Sequence, residues 1–270
     1  MISLPAARLP FTLSFQGQDM HNRYGKLASW VYNLDKPVGR SFGDVEFYRQ
    51  RLEDVDGPVL EPAVGNGRIL VPLLEAGVRI EGFDASDEML GYCRDECGKR
   101  HLSAGLTRQR FDDFSYDRRF AAIIMPAGSF QLITDAASAA AVLKRFHDHL
   151  APQGRLIIDL DPIGGFLGAS GSIRSWATDD GDLLTLTDDR VETDFIAQTT
   201  LSHLRYEHWQ DGSLTRTELD LFKLRWWGVN EFSLALQAAG FSDVQVSGNY
   251  QHGRAPQPGD DTISFEARRA

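Results

Sequence analysis

Glu61, Gly65, Gly67 and Asp84 fall in one stretch, VLEPAVGNGRILVPLLEAGVRIEGFD, with apolar runs around them. Glycines at a strand-to-helix turn leave the main chain bare, so a ligand can lie close against it. Asp84 comes seventeen residues after Gly67. Its carboxylate offers two acceptor oxygens, which suits a vicinal diol such as that of a ribose. The chemistry called for is recognition of a nucleoside with a second part lying over the glycine turn. A dinucleotide fingerprint would put a third glycine at Leu70, and a phosphate loop would put Lys-Ser or Lys-Thr where Arg68 and Ile69 stand.

Such residues work only if a sheet holds them at one edge. GPVL is a short buried strand ending at Leu60, and VRIEGFD is a second ending at Asp84. FAAIIMP and RLIIDLDP read as further strands, LTRQRFDDF as a short strand and a turn. The intervening GRILVPLLEAG, SDEMLGYCRDECGKRH and AASAAAVLKRFHDHLAPQG have helical texture. In the first of these, Pro72 is expected to remove a hydrogen bond and kink the helix. Strand and helix alternate four times, the signature of a parallel sheet with helices on both faces. In such sheets ligands bind beyond the carboxyl ends of the strands. After Pro162 a glycine-rich connection leads into about forty-five residues rich in Thr, Leu, Val and aromatics, with a hairpin turn at Asp211-Gly212. A helix, EFSLALQAAGF, and two strands follow. The division expected is an N-terminal helical cap over 1–56, an α/β core over 57–162, an antiparallel β insertion over 163–224 and the rest of the core over 225–270.

The chain has 270 residues, a net charge of −10 and 42% hydrophobic residues, enough for a full core and ill suited to a nucleic-acid backbone. No run of eighteen apolar residues occurs, so no membrane span is expected, and the opening MISLPAARLPFTLSF reads as an arm and not a signal peptide. Cys93 and Cys97 are expected as reduced thiols of a cytoplasmic protein. His147 and His149 point to different helix faces, and no metal-binding spacing appears. The oligomeric state is open, a homodimer being one option.

The motif order resembles that of the class I S-adenosylmethionine-dependent methyltransferases, especially their small-molecule branch. The likeness runs through VLEPAVGNGRILVPLLEAG, EGFDASDEML, QRFDDFSYDRRFAAIIMPAGSFQLI, LAPQGRLIIDLDP and EFSLALQAAGFSDVQVSG. It implies a Rossmann-like, mostly parallel seven-stranded sheet whose last strand is inserted antiparallel, and S-adenosyl-L-methionine as cofactor. By the same resemblance Glu61 orders the loop around the methionine amino group, which lies over Gly65, Asn66 and Gly67. Asp84 with Ala85 holds the ribose, Met89 packs on adenine, and Met125, Pro126 and Ala127 stand beside the sulfonium. Tyr32 resembles a tyrosine that closes over the cofactor. Two positions depart from the pattern: Ala63 replaces the first glycine, and Arg110 occupies the third strand end. Asp112 is therefore taken as the base reader, with Phe111 stacking. The insertion is expected to act as a lid supplying the acceptor pocket, with Phe130 and Gln131 from the core binding substrate and Tyr206 and His208 from the lid as catalytic groups.

Plainer readings compete. Glu61 suits a helix dipole and Asp84 a helix N-cap. Met89, Phe111 and Phe130 suit a core. The function expected is N- or O-methylation of a small molecule. A nucleic-acid methyltransferase, a nicotinamide-dependent oxidoreductase and a non-catalytic cofactor-binding protein are the alternatives, the first disfavoured by MPAG at the fourth strand end where an Asn/Asp-Pro-Pro-aromatic run would be needed.

Overall fold

Phe120–Met125 is apolar throughout, and a strand of that kind belongs where helices cover both faces of a sheet. The computed structural model describes residues 22–270 and places this strand, β4, in mid-sheet. The opening arm lies outside the described residues. The other strands are β1 (Val59–Pro62), β2 (Ile80–Asp84), β3 (Leu106–Arg108), β5 (Leu150–Leu160), β10 (Phe241–Gly248) and β11 (Ile263–Arg269). Their order is β10-β11-β5-β4-β1-β2-β3. β1 to β5 run parallel, while β11 pairs antiparallel with both β5 and β10. The order reverses between β1 and β4, so the carboxyl ends of those two strands flank a crevice.

One face of this sheet is covered by α5 (Ala136–His149) and α7 (Val229–Ala238), with Phe114, Phe130, Phe146, Phe232 and Phe265 fully buried beneath them. The other is covered by α2 (Asp44–Leu52), α3 (Leu70–Glu75) and α4 (Asp87–Lys99), which bury Tyr48, Leu70, Leu73, Leu90 and Cys93. Each such side chain contributes about 1.5–3 kcal/mol of transfer free energy. Pro72 does not kink α3. The helix begins only at Leu70, so Pro72 lies in its first turn, where the main-chain N–H has no partner within the helix. Cys93 and Cys97 are free, buried thiols.

Beyond β5 a short helix, α6 (Ile163–Leu167), leads to a second sheet of β6 (Ser172–Ala177), β7 (Leu183–Asp194), β8 (Thr199–Gln210) and β9 (Ser213–Arg225), antiparallel throughout. Asp211 and Gly212 both have positive φ, as a two-residue hairpin turn requires. α1 (Lys26–Asp35) packs Leu27, Ala28 and Val31 on one face of this sheet, against Leu184, Leu186, Leu204 and Tyr206. The Arg225–Gly228 segment joins the layers. The Arg225 guanidinium lies over the Trp227 ring at 4.1 Å, and Trp227 meets Phe130 and Phe232.

Candidate cofactor and acceptor site

The strand ends bring the acids and glycines of 61–84 together. Glu61, on β1, is 2% exposed, and its Oε2 has no hydrogen-bond partner among the described residues. Burial drives its carboxyl well above the usual range, with Arg68 opposing and Asp44 and Asp84 adding to the rise. A buried carboxylate oxygen left bare calls for a cation or donor from outside the fold.

Asp84 ends β2. One carboxylate oxygen accepts the Gly65 N–H and the other the Ser86 N–H, both at 2.9 Å. Each oxygen keeps one further lone pair, so a diol can still be received. The N-cap of α4 is Ser86, whose Oγ accepts the Met89 N–H, and not Asp84.

The glycine turn is tightly built. Gly65 has φ +57, and a Cβ there would meet nothing nearer than Met89 Cε at 3.5 Å. Met89 is thus packed against the turn. Gly67 has φ +84, and a Cβ would stand 2.6 Å from the Cys93 sulfur, so packing as well as backbone conformation demands glycine. Ala63 takes the left-handed conformation too, at φ +55. Asn66 is spent on structure. Its amide donates to Asn33 Oδ1 and the Lys36 carbonyl, and its oxygen accepts the Arg68 N–H. Arg68 pairs with Asp44 at 2.5 Å, both nearly sealed from solvent, and donates to the Arg40 carbonyl. The turn is thereby fastened to the segment joining α1 and α2. Tyr32 of α1 stands close to Arg68 and Glu61, with Lys36 Nζ 5.4 Å from its ring centre.

Beside Asp84 a cavity of about 370 Å³ is lined by Ala85, Arg108, Gln109, Arg110 and Asp113. The expected base-reading pair, Asp112 and Phe111, stands close to this hollow in sequence but not in its lining. Asp112 points outward and pairs with Arg110, while Phe111 packs edge-on to Phe83. At the end of β4, Met125 and Pro126 are buried, and Ala127 (φ +56) and Gly128 (φ +69) turn the chain sharply toward the 3-10 turn Ser129–Leu132.

A second cavity, of about 380 Å³, lies between the end of β5 and the second sheet. Asp161, Asp188, Arg190, Thr200, Ser202 and Phe222 are among the residues lining it. Arg190 donates to the Phe166 and Gly168 carbonyls, so its donors face the main chain around α6. The Asp161 carboxylate lies against the β4 turn, where a Cβ on Gly128 would be 3.0 Å from its Oδ2. Burial raises its carboxyl above the usual range and Lys36 opposes the rise.

The expected acceptor residues do not line this cavity. Phe130 is fully buried between Trp227 and Phe232. Gln131 bonds the main chain of Asp161 at both ends of its amide and so fixes that acid. Tyr206 and His208 do share a face, as strand spacing requires. That face packs on α1, where Tyr206 joins the apolar cluster and His208 is held by Asp182 at 2.7 Å and by the Trp30 ring. Thr200 and Ser202, further along the same strand and face, reach the cavity instead. Sequence reasoning missed Asp161, whose signal was an acid at the end of the fifth strand, in DLDP. Among the described residues no group of three or more His, Cys, Asp or Glu could hold a metal ion, and no helix is long and apolar enough to cross a membrane.

Residues 59–154 match the model of a methyltransferase domain. The chain is 28% identical over 124 residues to dTDP-3-amino-3,6-dideoxy-alpha-D-glucopyranose N,N-dimethyltransferase of Streptomyces fradiae, a match spanning 46% of this chain and 47% of that relative, just under half its length. It is 27% identical over 194 residues to the cypemycin N-terminal methyltransferase of a Streptomyces species, spanning 71% of this chain and 75% of the relative. The fold matches the sugar N-methyltransferase KedS8 from Streptoalloteichus sp ATCC 53650 over 100% of both chains, with a TM-score of 0.72 at 18% identity.

Proposed function

We propose that this chain, whose residues 59–154 match a methyltransferase domain, is a class I S-adenosylmethionine-dependent methyltransferase that transfers a methyl group to the nitrogen of a small, cationic amine in the cytoplasm. The observation that carries the cofactor reading is the bare, buried Glu61 Oε2 at the switch-point edge, one strand away from Asp84. Glu61 would take the ammonium of the methionine part, Asp84 the ribose diol, and the hollow beside Ala85 and Arg108 the adenine. S-adenosylmethionine supplies a methyl group on a sulfonium, an activated donor.

The nitrogen acceptor is supported by the acid-lined cavity and by the two relatives, an N,N-dimethyltransferase and an N-terminal methyltransferase. Asp161 and Asp188 favour an ammonium over a neutral phenol. An ammonium must lose a proton before its nitrogen can attack. Asp161, with its carboxyl raised by burial and its place against the β4 turn, is the group to take it. Orientation then supplies much of the remaining rate. The negative net charge and the MPAG strand end favour such an acceptor over a nucleic acid.

The test pairs calorimetry with turnover. S-adenosylhomocysteine is expected to bind on the order of micromolar, about −8 kcal/mol. In a screen of sugar amines, simple amines and phenols, amines are expected to be methylated. Asp161→Asn should lower turnover about a hundred-fold while binding the cofactor product unchanged. Turnover confined to phenols, or an unaffected Asp161→Asn, would refute the amine reading; no binding heat would refute the cofactor reading.

A further inference from the structure

Tyr24 stands between Tyr32, which borders Glu61 and Arg68, and Phe222, which lines the second cavity, and the fold goes to some length to hold it there. Its φ is +46, a left-handed backbone that a bulky side chain adopts only when its surroundings impose it. The imposing contacts come from both halves of the molecule. From the second sheet, the Asp220 carboxylate accepts the N–H groups of Arg23 and Tyr24 at 3.2 and 3.4 Å. From the cofactor edge, Ser86 Oγ donates to the Tyr24 carbonyl at 2.9 Å. Ser29 of α1 donates to the same oxygen.

The side chain is placed accordingly. Its ring stands edge-on to Tyr32, 6.2 Å between centres, and to Phe222, 6.4 Å. Tyr32 borders Glu61 and Arg68, whereas Phe222 lines the acid-bearing cavity. Burial, with Tyr32, Tyr206, Asp220 and Asp84 adding to it, raises the phenol well above its usual range, so it holds its proton firmly. Among the described residues the backbone of Tyr24 is bonded three times, and none of these hydrogen bonds involves its hydroxyl.

We propose that the Tyr24 hydroxyl is a contact of the acceptor amine, its oxygen accepting an N–H so that the nitrogen lone pair faces the methyl group. This rests on the amine reading above. In the step, the N–C bond forms as the C–S bond breaks. The bonding pair leaves with sulfur as the neutral thioether, and the methylated nitrogen carries the positive charge until it sheds a proton to water. Tyr24 gains and loses nothing in this sequence. It fixes direction, which is why an unengaged hydroxyl on a rigidly held backbone suits the task.

Tyr24→Phe keeps the ring and its edge-on packing and removes only the hydroxyl. With an amine that the wild-type protein methylates, the variant is expected to lose about ten- to a hundred-fold in kcat, the scale of one hydrogen bond to a charged centre. Its affinity for S-adenosylhomocysteine should stay within about threefold, and its urea midpoint should not move. Turnover within threefold of wild type overturns the proposal. So does a matching loss of S-adenosylhomocysteine affinity, which would assign the hydroxyl to the cofactor. Tyr24→Leu, which loses the ring as well, should fall in stability, separating the packing role from the contact. A wild-type protein that binds S-adenosylhomocysteine yet methylates no amine refutes the amine reading and this contact with it, whereas an active Tyr24→Phe refutes the contact alone.

Discussion

Glu61→Gln should weaken cofactor binding and strengthen the ligand-free fold at the same time. The residue is 2% exposed with Oε2 unpartnered, and the nearest cation, Arg68, is already engaged by Asp44 at 2.5 Å. A charge kept there without a ligand is destabilising, and glutamine has the same shape without the charge. The gain in ligand-free stability is expected to be about 1–3 kcal/mol at neutral pH. In the complex the same change removes the charged acceptor of an ammonium, a loss of about 1.5–3 kcal/mol, or roughly ten- to a hundred-fold in Kd.

The pH dependence carries a definite sign. Burial raises the folded-state carboxyl above its unfolded value, so the folded state holds the proton more tightly. Stability from this group is full below the unfolded value, near 4.5, and is lost as pH rises through the raised one. Affinity for an ammonium ligand moves the other way, increasing as the carboxyl ionises. Urea unfolding of wild type and Glu61→Gln across pH 5–9 reads the first effect, and calorimetry with S-adenosylhomocysteine the second. If the variant binds within threefold of wild type, Glu61 does not hold the amino group. If its ligand-free stability does not increase, the desolvation argument is wrong.

Asp159 makes a related prediction away from the cavities. It is fully buried, burial pushes its carboxyl up to about 7, and Ser264 Oγ donates to its Oδ1 at 2.7 Å. Its contribution to stability is full below pH ~4, declines toward pH ~7 and is flat above. Asp159→Asn, which keeps an acceptor for Ser264, should therefore gain on wild type across that interval by up to a few kcal/mol; parallel stability curves would refute this. Gly67→Ala should cost several kcal/mol, since its Cβ would sit 2.6 Å from the Cys93 sulfur at φ +84. Adding Cys93→Ala should return part of that loss and leave the backbone share, and a strictly additive double mutant, read by thermal unfolding, would show that the contact is not the cause.

The strand-and-helix alternation was legible because each core strand is an apolar run flanked by turn residues, and burial on both faces leaves no other use for such runs. The gathering of acids and glycines at one sheet edge was legible for a related reason. Glu61, Gly65 and Asp84 lie at strand ends, where position along the chain alone determines position in space. Asn66 belongs to the same turn, but the partners of its side-chain amide, Asn33 and Lys36, are about thirty residues upstream and could not be read from the local sequence. The surroundings of Phe130 and Gln131 were hidden in the same way. A residue just past a strand end can turn toward the crevice or back into the core, and Trp227 and Phe232, about a hundred residues later, settle the matter for Phe130.

The second sheet was harder still, and the reason is geometric. Strand alternation correctly puts Tyr206 and His208 on one face. It does not say where along that face one neighbour ends and the next begins. α1 covers the end with Leu184, Leu186, Leu204 and Tyr206, while the cavity opens over the end with Asp188, Thr200, Ser202 and Phe222. A face whose apolar half is capped by a helix and whose polar half is left open needs no residue of special type to become an acceptor site; it needs a helix ten residues long that stops where it does. α1 ends at Asp35, and Lys36 and Asn33 beyond and before that end are the groups tied to the glycine turn through Asn66. The length of one N-terminal helix thus sets both how much of the second sheet's face stays open and how firmly the glycine turn is held.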